Sequence, residues 1–213
     1  MKVLVTGFQP FGEETVNPAL EAVEALPSEI AGVEIIKAEI PVVFATAGEA
    51  LEKAINETKP DIVLCIGQAG GESVISVERV AINIIDARIP DNENNQPVDK
   101  PVKEDGKNAY FSNIPVKAIT SAMRHKGVPT QLSFSAGSYV CNALMYHLLY
   151  LIDKKYPAMK GGFIHVPYSP LQAATKGAGV PSMNVDDIVQ GLIVAIETAV
   201  SGEEISVPMG SLQ

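Results

Sequence analysis

The run Asp61-Ile-Val-Leu-Cys-Ile66 restricts this chain more than any other stretch. After its first residue it is wholly apolar, it is too short for a helix, and Pro60 and Gly67 bound it. A strand of that kind is buried on both faces, which happens where helices cover both sides of a sheet. The surrounding sequence supplies such helices. Strand-like runs alternate with helical periods from end to end, with no repeat or linker, so the expectation is an α/β fold: one α/β/α sandwich over residues 1–213, with a mainly parallel sheet.

Residues 2–8 (KVLVTGF) read as the first strand, ended by Gly7 and Pro10. Asn17-Pro18 then suits an N-cap and first helical position, ahead of Leu20, Val23 and Leu26 on one face. Residues 33–40 read as a second strand, and Thr46 with Glu49 matches a capping box ahead of a helix that stops at Lys59-Pro60. Residues 73–85 alternate like a strand. Residues 86–107 are polar and punctuated by Asn, Asp and Pro, and predict a long exposed loop or arm. Helices are expected over 115–126, over 138–155, and from an Asn184 cap towards Val200, with strands over 130–134 and 162–166.

Charge and thiol content narrow the function classes. Sixteen Lys and Arg against 25 Asp and Glu give a net charge of −9, which opposes binding to nucleic acid or to anionic membranes. No apolar stretch approaches the length of a membrane span. The N-terminus lacks the apolar core of a signal peptide, so a soluble, cytoplasmic protein is expected. The cysteines, Cys65 and Cys141, form neither a disulfide framework nor a zinc cage, and no metal or cofactor is called for.

In open α/β sheets, ligands collect beyond the strand ends. Segments 7–17, 67–71, 135–141 and 165–168 converge there. Cys141 stands near the start of a helix, where unpaired N–H groups favour negative charge, and is the better nucleophile candidate, although a small structural thiol has the same appearance. Cys65, inside the apolar run, reads as inert core. A cysteine nucleophile needs an imidazole. His147 lies about 240° round and ~9 Å along the helix from Cys141 and cannot face it; His125 fits an exposed last helical turn. His165, at a strand end, remains, with a core histidine as the other reading. The orienting carboxylate could be Glu72, Glu78, Asp86 or Asp91. Glu78 stands in an apolar run beside Arg79, where a structural ion pair is as reasonable as an orienting role.

Four blocks together resemble the pyroglutamyl peptidase I family: VTGFQPFG with Asn17-Pro18, IGQAGGESVISVERVAINIIDARIPDN, SAGSYVCN and GFIHVPY. Their joint order is specific where each alone is weak. The resemblance implies a phosphorylase/hydrolase-like α/β/α fold and a cytosolic thiol protease that releases N-terminal pyroglutamate from peptides. It implies a triad of Glu78, Cys141 and His165. It also implies an apolar pocket from Phe8, Phe11, Ile89, Tyr139 and Val140, with Asn17 and the main chain at Gln68 contributing, Arg88 as a transition-state stabiliser, and a homotetramer. Glu13, Glu72 and Phe134 depart from the family pattern, which commonly has Gly, Arg and Asn there.

Two other readings compete. A phosphate-handling enzyme would use residues 67–71 as an anion cradle, but that loop lacks the Lys and Ser/Thr of a P-loop and carries Glu72 beside it. A binding protein that had lost turnover would not need the complete Glu, Cys, His set.

Overall fold

The computed structural model describes residues 1–210. In chain order the elements are β1 (Lys2–Phe8), α1 (Pro18–Ala25), β2 (Glu29–Ile30), β3 (Val33–Ile40), α2 (Ala47–Thr58), β4 (Ile62–Gln68), β5 (Ile75–Glu78), β6 (Val80–Ile82) and β7 (Ala109–Phe111). They continue with α3 (Val116–His125), β8 (Thr130–Ser133), α4 (Val140–Lys154), β9 (Lys160–Val166), α5 (Pro170–Ala173) and α6 (Val185–Ser201). Seven strands form the main sheet in the order β2-β3-β1-β4-β9-β5-β8, and β6 pairs with β7 in a separate ribbon. Strands β3, β1, β4 and β9 run parallel; β5 runs antiparallel to β9, and β8 parallel to β5.

The run that constrained the sequence lies at the centre, every residue of β4 being buried. Alternation divides its side chains between two cores. Ile62, Leu64 and Ile66 face the layer of α1, α3 and α6, while Val63 and Cys65 face α2 and α4. Eleven of the fifteen residues of α4 are buried, as its apolar girth requires. No helix among the described residues is long and apolar enough to cross a membrane.

Local chemistry explains where elements start. Asn17 is extended, its Oδ1 accepting from the Ala19 N–H at 3.0 Å, and Pro18 follows in the first turn of α1. Thr46 differs from expectation. Its backbone is already αR and its hydroxyl makes no cap bond; the Thr46 and Ala47 N–H groups go instead to the Val43 carbonyl, so a tight turn replaces the capping box.

Residues 73–85 also differ from the single strand expected. They break after Glu78 into β5 in the main sheet and β6 in the ribbon, because Asn142, fully buried on α4, clamps β6. Its amide accepts from the Ile82 N–H at 3.0 Å and donates to the Ile82 and Ile84 carbonyls. The 86–107 arm has no helix or strand beyond one bridge between Ile85 and Lys100, yet it is not uniformly exposed. Ala87 and Asp91 are buried. Burial alone would raise the Asp91 pKa, but N–H donors from Phe44, Glu93 and Asn95 outweigh it and hold the carboxyl below its ordinary value.

Gly7 on β1 lies against α1 so closely that an added Cβ would stand 2.7 Å from the Leu20 Cα. The obstacle is backbone, which cannot swing aside. Gly7→Ala is expected to destabilise the fold by about 1–3 kcal/mol, the cost of overpacking. Urea unfolding should show this as a lowered midpoint at an unchanged slope.

Candidate active site

The site lies on the sheet face that carries α2 and α4, above the junction of β4, β9 and β5. His165 pairs in register with Gly67 on β4 on one side and with Ser76 on β5 on the other. Because β5 is antiparallel to β9, Glu78 sits beside Phe163, two residues below His165 and on the same face. The His165 Nδ1 meets Glu78 Oε1 at 2.8 Å, and both side chains are buried. The ring also packs on Phe163, centroid to centroid 4.8 Å.

Cys141 comes from the opposite direction, in the first turn of α4. Its Sγ would stand 3.0 Å from a Cβ built on Gly67, and Phe163 Cζ 2.7 Å from the same point. Only glycine lets the sulfur come down onto the strand edge between β4 and β9. Tyr139 caps α4 with no side-chain bond, so N–H groups of the first turn are free of intrahelical partners and point their dipoles at the sulfur's end of the helix.

Burial disfavours the His165 cation, but the neighbouring Cys141 and the bonded Glu78 more than offset this and push its pKa up to about 10. Glu78 Oε2 is buried with no protein partner among the described residues, an arrangement that costs on the order of 1–3 kcal/mol unless a charge nearby uses it. The His165 ring engages the other oxygen of the same carboxylate. Cys65 is unlike Cys141 in every respect: it is fully buried in β4, and burial pushes its thiol up to about 12. His147 is buried in α4 and His125 exposed at the end of α3, where its Nδ1 lies 2.7 Å from the Ser121 carbonyl oxygen, so neither joins the site.

A cavity of about 280 Å³ opens over these groups. It takes in Glu78, Cys141 and His165, together with Phe8, Phe11, Asn17, Gln68, Tyr139 and Val140 from the sequence reading. Asn17 lines it only as a wall, since its Oδ1 caps α1 and its Nδ2 donates to the Gln9 carbonyl at 3.1 Å. Arg88 and Ile89 lie outside the cavity lining and are exposed. The arm reaches the pocket elsewhere. Tyr139 donates to the Pro90 carbonyl at 2.9 Å, Asn92 Nδ2 to the Pro10 carbonyl at 3.0 Å, and Asp91 accepts from the Phe44 N–H. Phe44 in turn meets the Tyr139 ring edge-on at 5.2 Å.

Several contributors escaped the sequence reading. Phe163 joins Gly67 of the 67–71 segment in the floor under the sulfur, and Val42 adds to the apolar wall. Gln172, in the capping box of α5, donates to Gln68 Oε1 at 3.0 Å and so fixes the amide at the cavity edge. A Ser-Pro-x-Gln signature was present for that last one. Among the described residues, no group of three His, Cys, Asp or Glu side chains is placed to hold a metal ion.

The family model for pyroglutamyl peptidase matches residues 1–202. The chain belongs to the pyroglutamyl peptidase family. It is 57% identical over 200 residues to the pyrrolidone-carboxylate peptidase of Clostridium botulinum, covering 94% of this chain and 93% of the relative. Against that of Thermosipho africanus it is 56% identical over 197 residues, 92% and 96% of the two chains. The crystal structure of pyroglutamyl peptidase I from Bacillus amyloliquefaciens superposes with a TM-score of 0.93 at 44% identity, covering 97% of this chain and 99% of that one. Pyrrolidone carboxyl peptidase from Thermococcus litoralis gives 0.93 at 37%, with the same coverage. Family membership thus extends over the sheet, both helical layers and the cavity.

The raised His165 value has a definite sign. A folded pKa above the ordinary 6.5 means that the pairing stabilises the fold fully below about pH 6.5 and that this contribution is lost as pH rises through about 10. Cys141→Ala removes the strongest influence raising it. The His165 Cε1 proton, followed by NMR, is expected to titrate at lower pH in that variant than in the parent. Titration still near pH 10 would mean that Glu78 alone holds the cation.

Proposed function

We propose that the chain is a cysteine exopeptidase that hydrolyses the bond after an N-terminal L-pyroglutamyl residue, with Cys141 as nucleophile, His165 as general acid and base, and Glu78 orienting the imidazole. The observation carrying this is the convergence of Cys141 and a His165–Glu78 pair on one cavity in a chain of this family.

The chemistry runs in two halves. With the proton already on His165, the Cys141 sulfur attacks as a thiolate and forms a bond to the pyroglutamyl carbonyl carbon while the C=O electron pair moves onto oxygen. N–H groups of the first turn of α4 are the donors at hand for that oxyanion. The intermediate collapses, the C–N bond breaks, and the His165 proton goes to the departing amine, leaving a thioester on Cys141. Water then gives a proton to His165 and attacks the thioester. Pyroglutamate leaves, and the sulfur and imidazole return to their starting state. Glu78 holds Nδ1 throughout, so the other ring nitrogen serves the reaction.

The substrate's lactam ring is uncharged, which suits a wall of Phe8, Phe11, Val42, Tyr139 and Val140. Its N–H and C=O need partners, and the main chain around Gln68, which lines the same cavity, is the one we assign to them. Proline lacks the ring carbonyl and would leave a donor buried and unpaired.

A nucleophilic thiol works only where it stays reduced, which supports a cytoplasmic setting. The family resemblance supports a homotetramer, and the outer arm, where Val98 is 56% exposed, is a surface suited to subunit contact. Shortening the arm within 93–98 is expected to lower the sedimentation mass; unchanged mass would place the contact elsewhere.

The activity itself is tested with chromogenic amides under reducing conditions at neutral pH. Release from the L-pyroglutamyl amide and none from the L-prolyl amide is expected, with Cys141→Ala lowering turnover at least 10³-fold. Cys65→Ser should keep most of it. No release by the parent protein would overturn the reading.

A further inference from the structure

The cavity is divided by polarity in the same order as the strands beneath it. On the β1 and β4 side stand Phe8, Phe11 and Val42, with Asn17 and Gln68, whose side chains are already engaged by the Gln9 carbonyl and Ala19 N–H and by Gln172. On the β5 and β8 side stand Ser76, Gln131 and Ser133, with Glu72 beside them. Cys141 and His165 lie between the two halves. Resting on the function proposed above, we infer that the β5–β8 half receives the peptide beyond the scissile bond, and that Glu72 makes it select a cationic residue immediately after pyroglutamate and resist an acidic one.

The direction follows from the chemistry. The neutral ring belongs against the apolar wall, so the leaving amine projects to the other side of the sulfur. A proton can reach the nitrogen there too, since His165 borders β5 as well as β4 in the sheet. The leaving group therefore passes over Ser76 and its cross-strand partner Gln131.

Charge then decides preference. Gln131 Nε2 donates to Ser76 Oγ at 2.9 Å and reaches Glu72 Oε2 at 3.4 Å, so these side chains form one polar shelf. Glu72 is exposed and forms no ion pair among the described residues. Among the described residues, the only cation lining the cavity is His165, which Glu78 already engages. A lysine or arginine side chain arriving on the shelf would meet an unopposed carboxylate. An exposed pair of this kind is worth about two- to five-fold, and repulsion of an acidic residue about as much again.

The test compares kcat/KM for L-pyroglutamyl-L-lysine amide and L-pyroglutamyl-L-glutamate amide at low ionic strength, with L-pyroglutamyl-L-alanine amide alongside. The parent protein is expected to favour lysine over glutamate roughly 5- to 20-fold. Glu72→Gln should bring the ratio close to one and Glu72→Lys should invert it, while high salt should shrink the parent's ratio by screening. A preference that persists in Glu72→Gln would assign it to the net charge of −9 and overturn the inference. So would a parent ratio near one with the alanine substrate still cleaved. Failure to cleave any of the three would instead overturn the parent function.

Discussion

The antiparallel pairing of β5 with β9 is the constraint on which the site depends. In a fully parallel sheet, the carboxylate near the end of β5 would stand at the level of the histidine's neighbours only if both strands ended together. Reversal instead sets Ser76 opposite His165 and Glu78 two residues below it, where a carboxylate and an imidazole on the same face meet at 2.8 Å. That contact is buried, so its electrostatic effect is screened little by water and salt. Cys141 adds to it from the helical layer above.

The same register explains the glycine on β4. The pair His165–Gly67 puts a residue without a side chain directly beside the imidazole, and the sulfur lies 3.0 Å from where a Cβ would stand. A helix start, a glycine and a reversed strand are three ordinary features. Their coincidence at one point of the sheet brings a thiol, an imidazole and a carboxylate together within a small cavity. The remaining walls are braced from outside: Asp91 collects backbone N–H groups to fix the arm, and Tyr139 and Asn92 tie the arm to the apolar wall.

Much of the fold was legible in the chain. The buried run of β4, the Asn17-Pro18 start, the buried girth of α4 and the two unequal thiols all follow from local periodicity, capping chemistry and polarity. The failures have physical causes. Thr46 resembled a capping box, but a preceding turn had already used its backbone. The break after Glu78 depends on Asn142, sixty-odd residues away, whose amide competes for the strand's hydrogen bonds. Asp91, in an arm expected to be exposed, is buried because its partners include a backbone N–H from a distant segment.

By itself, the sequence determined the α/β/α architecture and the chemical inventory of the site, since burial patterns and residue types are local properties. It placed Cys141 at a helix start and set His125 and His147 aside by helical geometry alone. It left Glu78 level with an Arg79-paired structural carboxylate, and it could not show that this carboxylate meets His165. That outcome rests on strand direction and register. Hydrogen bonding between segments sets both, and no local window of the chain contains both partners.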